Sequence, residues 1–187
     1  MPYVYGSPEW VEAWETLKTD LMDIETPPYI MGTPGWIGTY EKLIRESEQY
    51  RAAAAGWEGS VVIHILAKPE VALERDFYLM MDLWHGDCRF VRMVSAEAGD
   101  AGDFVITGDY DRWRQVMTGE LDTVKGLMQG KLKLKGDLPT IVRYVKAATL
   151  LVELSQAIPT IMLDDMTAEE LDTFRDWVNA IRAEFGT

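Results

Sequence analysis

The sequence predicts one α+β domain, with helices at both ends and five strands grouped in the middle. Two observations carry this. Apolar residues recur at steps of three and four in the first and last parts of the chain, and between them the pattern changes to β-branched and alternating runs. No internal repeat, low-complexity tract or long linker divides the 187 residues, a length that suits one well-packed core with some surplus helix.

Ser7 followed by Pro8 is a helix start, a hydroxyl cap with proline at the first helical position. Trp10, Trp14, Leu17, Leu21 and Ile24 then form an amphipathic stripe, stopped by Pro27 and Pro28. Gly32, Thr33, Pro34 and Gly35 read as a turn. A second helical segment carries Tyr40, Leu43 and Ile44, and its alanine tract ends at Gly56, a candidate C-cap.

From about residue 59 the period changes. Val61 to Leu66 is apolar on both faces and reads as a central strand, closed by Pro69. Asp76 to Leu83 and Arg89 to Val94 read as two more strands, joined by a hairpin at His85, Gly86 and Asp87 with the glycine at positive φ. Gly99 to Gly102 is a predicted loop and Phe104 to Thr107 a fourth strand. Asp109 caps a helix stopped by Gly119, and Asp122 caps a shorter one ending at Gly130. Lys131 to Lys135 alternates strictly and is the fifth predicted strand. Asp137 opens a helix with Leu138, Ile141, Val142 and Val145 as its buried stripe. That helix becomes apolar on nearly every side through Leu150, Leu151, Val152 and Leu154, and Pro159 ends it. Thr167 and Glu170 form a capping box for a last helix striped by Leu171, Phe174, Val178, Ile181 and Phe185.

Composition narrows the function. A formal charge of −13 and a pI near 4.5 argue against a nucleic-acid partner, which needs positive surface. The single cysteine, Cys88, excludes an internal disulfide and fits a reducing cytoplasm. The first residues lack the basic-then-apolar order of a signal peptide, and no apolar run reaches the ~18 to 20 residues of a spanning helix. The expectation is a soluble, cytoplasmic protein without stable membrane insertion. Seven tryptophans and ten methionines either fill a core or line an adaptable apolar cavity.

The block from Phe104 to Thr149 resembles the sterol-carrier-protein-2 (SCP-2) sterol-transfer family. The resemblance is carried by Asp103 to Thr107, by Trp113, by Val116-Met117-Thr118-Gly119-Glu120-Leu121, and above all by Leu127 to Leu138, which reads Leu-Met-Gln-Gly-Lys-Leu-Lys-Leu-Lys-Gly-Asp-Leu. It implies an SCP-2-like fold, a curved, mainly antiparallel five-stranded sheet covered by helices around an apolar tunnel, here with extra N- and C-terminal helices. It implies non-covalent binding and transfer of a fatty acid, fatty acyl-CoA, sterol or other lipid, with no cofactor. The division expected is a helical extension at residues 1–57, a lipid-binding core at 58–158 and a C-terminal helix within 159–187. Candidate ligand contacts are Phe104, Ile106, Trp113, Met117, Leu121, Val124, Leu127, Met128, Leu132, Leu134, Val145 and Leu151. Each of these would look the same in an ordinary core.

Other features read more plainly. Lys131, Lys133 and Lys135 form the solvated face of an edge strand, with attraction of an anionic headgroup as the alternative. His85, Asp87 and Cys88 are the only cluster with nucleophilic promise, and their spacing on a tight hairpin favours a turn over a catalytic set. His64 reads as a hydrogen-bonded core histidine, and acids such as Glu41, Glu46, Glu48, Glu169 and Asp172 as polar helix faces. No Asp/Glu/His set has metal spacing. Two alternatives to a free-standing carrier stand. One is an accessory protein that presents a hydrophobic intermediate, docking partners or a second copy through Trp10, Trp14, Phe174 and Trp177. The other is an enzyme built around Cys88 and His85.

Overall fold

The computed structural model describes residues 2–187. Ser7 accepts from the Trp10 backbone N–H and starts α1 (Pro8–Ile24) as expected. Its buried stripe runs Trp10, Trp14, Lys18 rather than through Leu17 and Leu21, which are half-buried, and Ile24 is exposed. After a two-residue strand, β1 (Tyr29–Ile30), the predicted turn at 32–35 proves to be a helix start. Thr33 caps α2 (Pro34–Glu46) with Pro34 at its first position, repeating the Ser7 and Pro8 device. Gly35 and Gly38 let α2 lie close against α1. A Cβ on Gly38 would sit 2.3 Å from the Met22 sulfur.

Ser47 breaks the chain into a short α3 (Glu48–Ala53). Gly56 is not a left-handed cap. It leaves room for the Tyr144 hydroxyl, which a Cβ there would meet at 2.5 Å.

The strands are β2 (Glu58–Ile65), β3 (Phe77–Trp84), β4 (Asp87–Met93), β5 (Phe104–Gly108) and, after the helices described next, β6 (Lys133–Lys135). They form an open sheet in the order β4-β3-β2-β5-β6, antiparallel except for the β2–β5 pair. β2 is central, and its residues from Val61 to Ile65 are apolar on both faces except for His64. Val61, Ile63 and Ile65 face the main core, while Val62 joins Tyr78, Val94 and Val105 in a smaller cluster behind the sheet. At the β3–β4 turn both His85 (φ 48°) and Gly86 (φ 84°) are left-handed, the two-residue geometry that matches strand twist. The stretch from Gly99, predicted as loop, begins inside a short α4 (Ala96–Asp100) capped by Ser95. Gly99 seats α4 on Tyr78, whose ring a Cβ would meet at 2.2 Å.

Asp109 caps α5 (Tyr110–Met117) and Asp122 caps α6 (Thr123–Met128). The lysine-rich strand is shorter than its alternation suggested, because the backbone N–H groups of Lys131 and Leu132 both donate to the Gly126 carbonyl and tie that end to α6. β6 is an edge strand with Lys133 and Lys135 exposed. Asp137 caps α7 (Leu138–Arg143), and a break at Tyr144 separates it from α8 (Val145–Gln156). The sequence suggested one continuous helix. The change of axis turns Ala147, Leu151 and Ser155 inward and leaves Val142 and Val145 47% and 43% exposed, outside the stripe predicted for them.

β7 (Thr160–Ile161) pairs in parallel with β1, a pair too short to read from sequence. The capping box at Thr167 starts α9 (Ala168–Phe185) as expected. α9 packs on α1: the Trp10 indole N–H donates to the Phe185 carbonyl at 2.6 Å, and Trp14 meets the Phe185 ring edge-on at 5.3 Å. Trp10, Trp14 and Phe174, offered by sequence as docking anchors, are therefore buried inside the chain, and Trp177 is half-buried. No helix among the described residues is long and apolar enough to cross a membrane.

Candidate functional site

Between the sheet and its helical cover lies an apolar cavity of about 130 Å³. β2 and β3 have period-two side chains, so one face of each is presented as a floor: Val61, Ile63 and Ile65, then Phe77, Leu79, Met81 and Leu83, joined by Ile106 of β5. The cover comes from Trp36 and Tyr40 of α2, Trp113, Val116 and Met117 of α5, Val124 of α6 and Leu151 and Val152 of α8.

Four amphipathic side chains of the wall have their polar ends bonded to the protein, while the buried Thr123 hydroxyl has no partner. Trp113 donates its indole N–H to the His64 carbonyl at 3.1 Å, Trp36 to the Thr160 hydroxyl at 2.9 Å, and Tyr40 its hydroxyl to the Leu151 carbonyl at 2.9 Å. Ser155 donates to the Val152 carbonyl at 2.7 Å. Pairing those groups elsewhere leaves carbon facing the cavity, as an apolar ligand site requires. Burial pushes the Tyr40 and Tyr50 phenols far above their ordinary range, so both stay neutral. Among the described residues no carboxylate, ammonium or guanidinium lines the cavity.

A second, outer recess is lined by Gly119, Leu121, Asp122, Glu153 and Gln156. It shares Thr123, Val124, Ala148 and Val152 with the cavity, so these side chains are the partition between inner space and outside.

Five residues singled out from sequence lie on the cavity wall: Ile106, Trp113, Met117, Val124 and Leu151. Seven do not. Phe104 packs on Trp57 at 4.8 Å, and Leu132 is wedged between Gly108 and Gly126. Leu121 lines the outer recess, Leu127 and Leu134 are half-buried off the wall, and Val145 and Met128 are exposed, the latter 72%. Of α6, Thr123 and Val124 reach the wall and Leu127 and Met128 do not.

Sequence reasoning missed Trp36, Tyr40, Tyr50 and Trp57, all within the stretch assigned to an extension. It also missed the β3 floor, although the alternation Phe77, Leu79, Met81, Leu83 was a usable signal.

The possible nucleophilic set does not assemble. The exposed His85 bonds Glu58 at 2.7 Å and stacks on Trp84, while Cys88 is buried on β4. Burial, then the nearby Glu41 carboxylate, pushes the Cys88 thiol up to about 12. A thiol so shifted is only sparsely ionised at pH 8, so native protein should react with a thiol reagent roughly a thousandfold more slowly than denatured protein. Prompt labelling of folded protein would contradict this. The same shift favours the folded state below the free thiol's range, and that contribution is lost as pH rises towards 12. His64 bonds Thr107 at 2.9 Å and Asp76 at 2.8 Å, as expected of a core histidine. Among the described residues no three His, Cys, Asp or Glu side chains are placed to hold a metal ion.

Residues 40–149 match the family model described as the SCP-2 sterol transfer family. A crystal structure of sterol carrier protein 2 is 36% identical with a TM-score of 0.61, the match covering 66% of this chain and 95% of that one. A solution structure from Thermus thermophilus, described as a conserved hypothetical protein and possibly a sterol carrier protein, is 34% identical with a TM-score of 0.65, covering 73% and 94%. No curated protein matches significantly.

Proposed function

The chain belongs to the SCP-2 sterol transfer family, and on that premise we propose that it is a non-catalytic carrier holding one long apolar ligand between the sheet and α2, α5 and α8. The ligand class is a fatty acid, fatty acyl-CoA or a sterol- or isoprenoid-like lipid. The observation that carries this reading is the carbon-faced cavity, whose amphipathic lining residues Trp36, Tyr40 and Trp113 all bond away from it. Each methylene moved from water into such a site contributes about 0.8 kcal/mol, so ten or so supply the affinity without a polar anchor. A cavity of this size holds part of a long tail. The rest is accommodated as Met31, Met81 and Met117, flexible at three torsions each, move aside.

Binding is favoured over bond-making because the wall's Ser155 hydroxyl is bonded to Val152 and the thiol and imidazole outside it stay apart. The accessory role draws less support, since Trp10 and Trp14 are occupied in packing α1 on α9 and Phe174 is buried.

The test is displacement. Delipidated protein should take up a fluorescent long-chain fatty acid saturably, one per chain, and release it to unlabelled palmitate or a sterol. A linear, unsaturable signal would remove the proposal.

A further inference from the structure

A further concavity, distinct from the lipid cavity and the outer recess, lies between α9, the start of β3 and the end of β4. It is a groove of about 730 Å³ whose lining includes Arg75, Asp76, Tyr78, Ser95, Asn179 and Arg182. Arg182 is 6% exposed. Among the described residues its side chain makes one hydrogen bond, a long one of 3.2 Å from Nη2 to the Asp76 backbone carbonyl, and its Nε has no partner.

This chain has 31 acidic residues, yet among the described residues none places a carboxylate oxygen within 4.0 Å of this guanidinium. Asp76 is the nearby acid, and both its oxygens are engaged, one by His64 and the other by the Ala67 backbone N–H. A second cation, Arg75, shares the groove. Burial, with Arg75 adding repulsion, holds the Arg182 guanidinium down at about 10, against the partial support of Asp76. A buried guanidinium without a counter-ion is costly, and its fork of donors matches a carboxylate or phosphate.

We propose that this groove binds an oxyanion, a phosphate or carboxylate group, held by the Arg182 guanidinium with Arg75 at the rim. Arg75, Asp76, Tyr78 and Ser95 fall within the family-matched residues 40–149, whereas Asn179 and Arg182 come from α9, outside them; the proposal is independent of the carrier reading. The oxyanion belongs either to a free small anion or to a lipid headgroup.

The full chain is titrated with inorganic phosphate, dodecyl phosphate and dodecanol at constant ionic strength, as wild type and as Arg182→Met. Phosphate, dodecyl phosphate or both should bind wild type, and Arg182→Met should weaken that binding by about tenfold or more while leaving dodecanol unchanged. Equal affinity for the two phosphates assigns a free anion; binding of dodecyl phosphate alone assigns a headgroup. The ligand-free variant should melt at a higher temperature than wild type, because an uncompensated charge is gone. If Arg182→Met does not fold, Arg75→Gln, at an exposed position, should weaken binding in the same direction by a smaller factor that grows as salt is lowered. Absence of phosphate binding by both probes, binding that a folded Arg182→Met does not weaken, or, where that variant does not fold, binding that Arg75→Gln does not weaken, overturns the proposal. Failure of dodecanol alone would count against the apolar cavity and not against this groove.

Discussion

Replacing Ala148 with tryptophan is expected to abolish lipid uptake while leaving a folded protein. Ala148 sits on α8, half-buried, in the partition shared by the cavity and the outer recess. An indole there extends into space that a ligand tail would occupy or pass through. Affinity for the fluorescent fatty acid should fall by about 100-fold or more, which is about 2.8 kcal/mol at about 1.4 kcal/mol per tenfold. Overpacking should cost no more than about 1–3 kcal/mol of stability, because the ring enters vacant rather than filled volume. Lys146→Trp, on the exposed side of the same helix, is the control and should leave affinity unchanged. Unaltered uptake by Ala148→Trp would place the ligand elsewhere.

Glu41→Ala should be the most damaging substitution for folding among the polar residues. Glu41 is 4% exposed, and its carboxylate accepts from Lys18 at 2.8 Å, Arg45 at 2.6 Å and the Val91 backbone N–H at 2.8 Å. One side chain thus joins α1, α2 and β4. Removing it leaves Lys18, itself 4% exposed, with only Glu15 as partner at 2.6 Å, and leaves the Val91 N–H unbonded. Arg45 is half-exposed and can rehydrate. Breaking a buried pair from one side costs about 3–5 kcal/mol, which chemical denaturation would read as a lower midpoint at constant slope. The double variant Lys18→Met, Glu41→Leu should recover much of that loss, since no charge remains buried. A Glu41→Ala protein as stable as wild type would show that water reaches the network.

The same residue marks what sequence could not reveal. Glu41 follows Tyr40 in a helix where Glu46 does face solvent, and nothing in the spacing distinguishes the two acids. Its burial comes from the approach of α1, which Gly35 and Gly38 permit. Lys18 is the matching case, a charged residue at the inward position that periodicity gave to Leu17.

Features encoded within a few residues were legible. Ser7, Asp109, Asp122, Asp137 and Thr167 all accept the backbone N–H bonds expected of caps, and the doubly apolar run at Val61 to Ile65 is the central strand. Breaks set by tertiary packing were not. Tyr144 ends α7 with its ring edge-on to Trp57 at 5.4 Å, a contact between residues far apart in the chain. The cavity was half legible for the same reason: Trp113, Met117 and Leu151 lie in or beside the block that carries the family resemblance, whereas Trp36, Tyr40 and Tyr50 reach it only because α2 and α3 fold back over the sheet.

The measurement that tests the central claim most directly is a crystal structure of the protein loaded with a brominated long-chain fatty acid. Anomalous bromine signal within the space bounded by Trp113, Met117, Leu151 and the β3 floor is the predicted result. Bromine confined to the outer surface, with the methionines collapsed to fill the interior, would contradict it.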